Sequence, residues 1–196
     1  MEELIDIVDE NDNVIGQDTK KNAHLKKLWH RAAAVLLFKD ESLTETLLQK
    51  RSKNKDQDPG LLTPSGGHLN SGETYLQGAL RELHEEMLVG LSLPNVELSP
   101  LFRLKNIYEK EFQLVYKLVY SGSFNIDTEE VEEYFWVKLD GLLKDIKAHP
   151  EKYTQTCKFI FSEYQIRCPK PSPEKGRRRD DDEEEDDEEM EGDEDS

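Results

Sequence analysis

The stretch Gly67-His68-Leu69-Asn70-Ser71-Gly72-Glu73 runs into Thr74-Tyr75-Leu76-Gln77-Gly78-Ala79-Leu80 and then Arg81-Glu82-Leu83-His84-Glu85-Glu86. Its spacing predicts a loop leading into a helix over roughly residues 74–88. On that helix Leu76, Leu80, Leu83 and Met87 share one face, while Glu82, Glu85 and Glu86 fall opposite at i, i+3 and i+4. Like charges at this spacing repel by about 0.2–0.5 kcal/mol per pair, which a solvated face tolerates. Clustered carboxylate oxygens also suit a hard divalent cation such as Mg²⁺. Taken alone, the three glutamates favour a charged surface side of the helix over a site.

Outward from the helix, the apolar run Ala32 to Phe38 has the length of a buried strand, and Thr46 to Arg51 reads as its neighbour. Leu4 to Val8 and Val14-Ile15 flank a turn at Asp9-Glu10-Asn11-Asp12-Asn13. The turn also looks like the start of a calcium loop, but such a loop needs Gly and Glu where Val14 and Lys20 stand, so a hairpin is favoured. Residues 52–72 read as a loop. Phe112 to Tyr120 and Tyr134 to Val137 read as strands, and Leu139 to Lys147 and Tyr153 to Tyr164 as helices. Interleaved strands and helices with a hairpin predict an α/β chain with a mixed sheet flanked by helices.

The 196 residues suffice for one domain, expected over 1–168. From Asp180 onward 14 acidic residues occur with no basic partner; without them the formal charge of −17 becomes about −3. The segment from 169 onward, basic at Lys175, Arg177, Arg178 and Arg179 and then acidic, is expected to be a disordered tail. No basic footprint for nucleic acid is present, no apolar run could cross a bilayer, and two cysteines make no disulfide framework. A cytoplasmic location is expected, with the nucleus second.

The positions Gly67, Glu73, Arg81, Glu82, Leu83, Glu85 and Glu86 resemble the signature of the Nudix hydrolases, G-x5-E-x7-R-E-U-x-E-E-x-G-U, where U is aliphatic. The final Gly position is occupied by Leu88, a departure at the helix end that removes no carboxylate. The resemblance implies a Nudix fold, a mixed sheet sandwiched between helices. It also implies Mg²⁺, with Mn²⁺ as second candidate, held by Glu82, Glu85 and Glu86. Glu73 would pair with Arg81, Gly67 and Gly72 would permit the tight loop, and Leu83 would be core.

A further resemblance is to isopentenyl-diphosphate isomerases, relatives with the same fold. It rests on Ala23-His24, Trp29-His30-Arg31, Leu48 to Ser52, Pro59-Gly60, Gly67-His68 and Glu109-Lys110-Glu111. It implies a divalent-metal set of His24, His30, His68, Glu109 and Glu111, although the His24-to-His30 spacing is one residue shorter than the isomerase pattern. The isomerase's cysteine before Gly-His is replaced by Gly66, and its C-terminal tryptophan is missing. Without that thiol, hydrolysis of a diphosphate linkage in a nucleoside diphosphate derivative or isoprenoid diphosphate is the expected activity. Isomerisation, or a non-catalytic binding module acting through the acidic tail, are the alternatives. The expected site has Glu85, Glu86 and Glu111 in catalysis and Glu82, Glu85, Glu86, His68 and Glu109 on the metal. Gly67, Gly72, Glu73, Arg81 and Leu83 would shape it; Lys50, Arg51 and His30 would face substrate. Expected partners are the small diphosphate, a basic protein for the tail and a second copy of the chain; membrane and nucleic acid are not expected.

Overall fold

The computed structural model describes residues 3–90 and 97–168. The elements, numbered in chain order, are β1 (Leu4–Val8), β2 (Val14–Thr19), α1 (Lys20–Lys26), β3 (His30–Phe38), β4 (Glu45–Arg51), β5 (Leu62–Thr63), β6 (Ser65–His68), α2 (Tyr75–Met87), β7 (Ser99–Asn106), β8 (Glu111–Val119), β9 (Val131–Lys138), α3 (Leu139–Ala148) and α4 (Gln155–Arg167).

β3 organises the sheet. It runs parallel to β8 over its whole length, from His30↔Glu111 to Phe38↔Val119, and antiparallel to β6 on its other edge. β7 continues the sheet beyond β8. The β1–β2 hairpin joins at Ile7↔His30, and the group β5–β4–β9 joins at Phe38↔Thr46. A central strand covered on both sides should read as an unbroken apolar run rather than an alternating one. Residues 32–38 do so because Ala33, Val35 and Leu37 meet α2 through Ala79, Leu83 and Met87. Ala34, Leu36 and Phe38 meet Ile160 and Phe161 of α4. The result is the expected α/β/α sandwich.

Several expectations are corrected. Residues 52–72, expected as loop, contain β5 and β6; α1 and β7 were not expected at all. α1 is seven residues long with only Ala23 buried, and it is fixed by its ends. The Thr19 side chain accepts from the Asn22 amide, and Lys27 closes it at φ 52°. On α2, Leu76 is largely exposed, whereas Glu86 is buried beside Ala79 and Leu83. The turn at residues 9–13 is a hairpin turn in which the Asp9 carboxylate accepts from Asn11 and Asn13 rather than opening to an ion. The expected tail, 169–196, lies outside the described residues.

Candidate active site

α2 begins with a capping box, in which Thr74 and Gln77 satisfy each other's backbone amides. Arg81, two turns on, knots loop to helix. Its Nε and Nη2 donate to Glu73 at 2.8 and 3.0 Å, Nη2 to the His68 carbonyl at 2.8 Å, and Nη1 to Glu82 and Glu85 at 2.9 Å each. Burial pushes the Glu73 carboxyl upward, but Arg81 and the Asn70 amide outweigh it and hold Glu73 below the usual carboxylate range. This closure needs Gly67: a Cβ there would lie 2.5 Å from Glu82 Oε1. Gly72, at φ +80°, supplies the turn before the helix.

Glu86 reaches inward under β6, where its Oε2 accepts from the Ser65 hydroxyl at 2.7 Å and the Gly66 amide at 2.9 Å. Burial, then repulsion from Glu82, raises its carboxyl to about 7. Glu82 is also shifted upward by burial. Glu85 stands apart: its side chain is 56% exposed and its partner is Arg81. The three glutamates thus separate into two that face inward and one that faces out.

Beside them three imidazoles converge. His24 comes from α1, His30 from the start of β3 and His68 from the end of β6, and their ligand atoms lie within 4.8 Å of one another. His24 Nε2 and His68 Nε2 are 3.0 Å apart. Glu111 Oε2, on the strand paired to β3, lies 3.7 Å from His68 Nε2 and 3.9 Å from His30 Nε2. Burial lowers all three imidazoles, His30 to about 4, with the Lys20 charge adding to the effect on His68 and His24. Burial and the nearby Glu109 raise Glu111 to about 7.

The donor set fits a divalent cation. His30 Nδ1 bonds the Leu28 carbonyl at 2.8 Å, which leaves Nε2 as the lone-pair atom turned to the cluster. That Nε2 is wholly buried and has no hydrogen-bond partner among the described residues. Buried polar atoms are normally satisfied, so an orphan facing two more imidazoles and a carboxylate calls for a ligand. Imidazoles held neutral are ligands ready for use, and mixed N/O donors suit a borderline cation.

Above this floor is a rim of cations. A chamber of about 150 Å³ is lined by Gly67, His68, Glu82, Glu86 and Glu111 below and by Lys20, Arg51 and Lys55 above. The same three cations border a wider cleft of about 840 Å³ that opens outward past His24. Lys20 and His24 lie one turn apart on α1, which is why this short helix matters. Arg51 Nε is steadied by the Gln57 carbonyl at 3.0 Å, and Lys55 pairs with Glu130. Lys20 makes no ion pair among the described residues, and its charge acts on His24, His68, Glu82 and Glu111.

Some sequence expectations meet a different geometry. Lys50 is not at the rim; it pairs with Glu132 and Glu133 at 3.2 and 3.1 Å on the outer side. His30 does not face substrate; it is buried within the imidazole cluster. Glu109, expected on the metal, sits exposed in the turn before β8, with Lys110 at φ 55° between it and Glu111. Lys20 and Lys55 escaped the sequence reading because one lies in a helix with almost no apolar signal and the other in a charged loop.

A NUDIX domain profile matches residues 28–159. The chain therefore belongs to the Nudix hydrolase family. Within it, the chain lies near the branch of the isopentenyl-diphosphate isomerases. It is 33% identical over 158 residues to an isopentenyl-diphosphate Δ-isomerase of Serratia proteamaculans, covering 79% of this chain and 87% of that one. An uncharacterised Nudix hydrolase of Yersinia pestis is 31% identical over 157 residues, covering 78% and 80%. A crystal structure from Deinococcus radiodurans shares the fold with a TM-score of 0.70 at 24% identity, over 82% of this chain and 98% of that one. Hydrolases of this family generally use divalent metal ions.

Proposed function

We propose that the protein hydrolyses a diphosphate linkage in a small molecule with Mg²⁺ as cofactor. The observation that carries this reading is that Lys20, Arg51 and Lys55 line the same chamber as Glu82, Glu86, Glu111 and His68. Cations above would take phosphate oxygens, and donors below would hold the metal. His24, His30, His68 and Glu111 would hold one ion, and Glu82 with Glu86 a second. A bound ion supplies charge neutralisation on the diphosphate and orientation of the attacking water. Lys20, Arg51 and Lys55 would fix the diphosphate, with Arg51 offering a planar fork. Glu111, holding the ion through one carboxylate oxygen, would take the water's proton on the other as the water oxygen bonds to phosphorus and the bridging P–O bond breaks. Phosphate release from a panel of nucleoside and isoprenoid diphosphates with Mg²⁺ tests it; no turnover of any member would overturn it.

The second reading, isomerisation, is favoured by the imidazole–Glu111 cluster and by the isomerases at 33–34% identity. Against it stands Gly66. Its φ is +145°, and a Cβ would lie 2.3 Å from the Ala33 carbonyl oxygen and 2.7 Å from Ala34 Cα. β6 has closed on β3 through Ala34↔Gly66, so this backbone has no room for a thiol at that position. Assay of the interconversion of the two five-carbon diphosphates separates the readings.

A further inference from the structure

The inner chamber has an end that neither the metal donors nor the basic rim explains. It reaches α4, where its wall is mixed: Ile160 and Ala34 are apolar, and Gln113, Thr63, Thr154 and Thr156 are polar. Gln113 follows Glu111 on the same face of β8 and is 4% exposed. Its side-chain amide lines the chamber and makes no hydrogen bond among the described residues. Thr156 lines the chamber from α4, and Thr63 with Thr154 closes it, the two hydroxyl oxygens 3.2 Å apart. Thr154 caps α4 by accepting from the Cys157 amide at 3.0 Å, and the backbone N–H of Thr156 has no partner among the described residues. The buried side-chain atoms left without a partner among the described residues are His30 Nε2 and Gln49 Oε1; the Gln113 amide reaches the open space of the chamber, where it is free to bond what enters. A primary amide both donates and accepts.

Resting on the diphosphatase reading above, we propose that this end of the chamber binds a hydroxyl-bearing organic group of the substrate, with Gln113 and Thr156 as its contacts. The enzyme thereby selects hydroxylated diphosphate esters over purely hydrocarbon ones. At about 30 Å³ per water, about 150 Å³ admits a group of roughly five heavy atoms, the size of a small sugar fragment or a five-carbon chain, so size alone does not discriminate. Polarity does. A hydrocarbon entering here would strip Gln113 of water and return no hydrogen bond, whereas a hydroxyl would satisfy it. Sites built to bond a hydroxyl reject the analogue lacking it far more strongly than apolar pockets reject an extra methylene.

The test uses the full chain with Mg²⁺ and a matched pair: isopentenyl diphosphate, and 3-hydroxy-3-methylbutyl diphosphate, the same skeleton with water added across the double bond. The expected result is a kcat/KM at least tenfold higher for the hydroxylated compound, falling toward equality in Gln113→Leu. Because Gln113 bonds nothing within the protein, Gln113→Leu should melt no lower than the parent. Thr156→Val, in a less buried position, should narrow the ratio as well and serves if the first variant folds poorly. Equal rates, a preference for the hydrocarbon, or a preference unchanged in both variants overturns the proposal. If neither compound is cleaved, the nucleoside diphosphates of the panel decide the diphosphatase reading, which fails if they too are untouched. The chamber is then judged by calorimetric Kd values for the same pair: a tenfold ratio supports it and equal values reject it.

Discussion

Glu85 and Glu86 are neighbours in sequence, yet one is 56% exposed and bonded to Arg81 while the other is 4% exposed and bonded to Ser65 and Gly66. Their substitutions should therefore part. Glu86→Gln removes a chamber carboxylate and should lower kcat on the order of 100-fold, as loss of metal-linked transition-state stabilisation of several kcal/mol implies. Glu85→Gln should cost only a few-fold. Steady-state rates at saturating Mg²⁺ decide between them; equal losses would place Glu85 inside the site after all. Gly66 makes a second prediction. In Gly66→Cys the new Cβ meets backbone on β3, which cannot yield as a flexible side chain would. Overpacking of this kind costs about 1–3 kcal/mol, visible as a lower urea midpoint. The variant should gain no isomerase activity, because β6 must move before the thiol can be held.

At the scale of elements, α2 is positioned by Arg81. Its fork bonds Glu73, the His68 carbonyl, Glu82 and Glu85 at once, so it sets the height of the glutamates against the Gly67 loop. Arg81→Lys keeps the charge and loses the fork. Activity should fall by about tenfold or more with a smaller change in melting temperature, measured on the same preparation. α2 was legible because its motif and its cap are both written in consecutive residues. β3 was legible because burial on both faces leaves an unbroken apolar run. β5 and β6 were not: they are two and four residues of Leu, Thr, Ser, Gly and His, held by pairing to β4 and β3 rather than by propensity. β7 alternates weakly around Pro100, and α1 has no apolar face to detect. The site inherits this unevenness. The glutamates and His68 were readable, whereas Lys20, Lys55 and Gln113 matter only through which strand or helix faces them, a fact no local pattern holds.

Over the whole molecule, the buried acids of this site make folding depend on pH, and a bound ion would add a dependence on metal. Glu86 and Glu111 have carboxyls raised to about 7 by burial, against ordinary values near 4.5. A raised acid binds its proton more tightly in the folded state. It therefore costs no stability below about 4.5, costs progressively more as pH rises, and costs most above 7. The depressed imidazoles act the other way and favour higher pH, so the carboxylate shows in a difference: in chelator Glu86→Gln should gain stability relative to the parent between pH 5 and pH 7.5, since the amide has nothing to ionise. A divalent ion reverses the sign of the field at these carboxylates and binds the folded chain in preference to the unfolded one. At a hundredfold excess over its Kd it adds about 2.7 kcal/mol. Mg²⁺ or Mn²⁺ should accordingly raise the melting temperature at pH 7.5 and do much less at pH 5, where protons occupy the raised carboxylates. Urea unfolding at the two pH values, with chelator and with each metal, measures all of this. A metal effect as large at pH 5 as at pH 7.5, or a Glu86→Gln chain that gains nothing on the parent between them, would mean that these buried acids are not the groups that meet the ion.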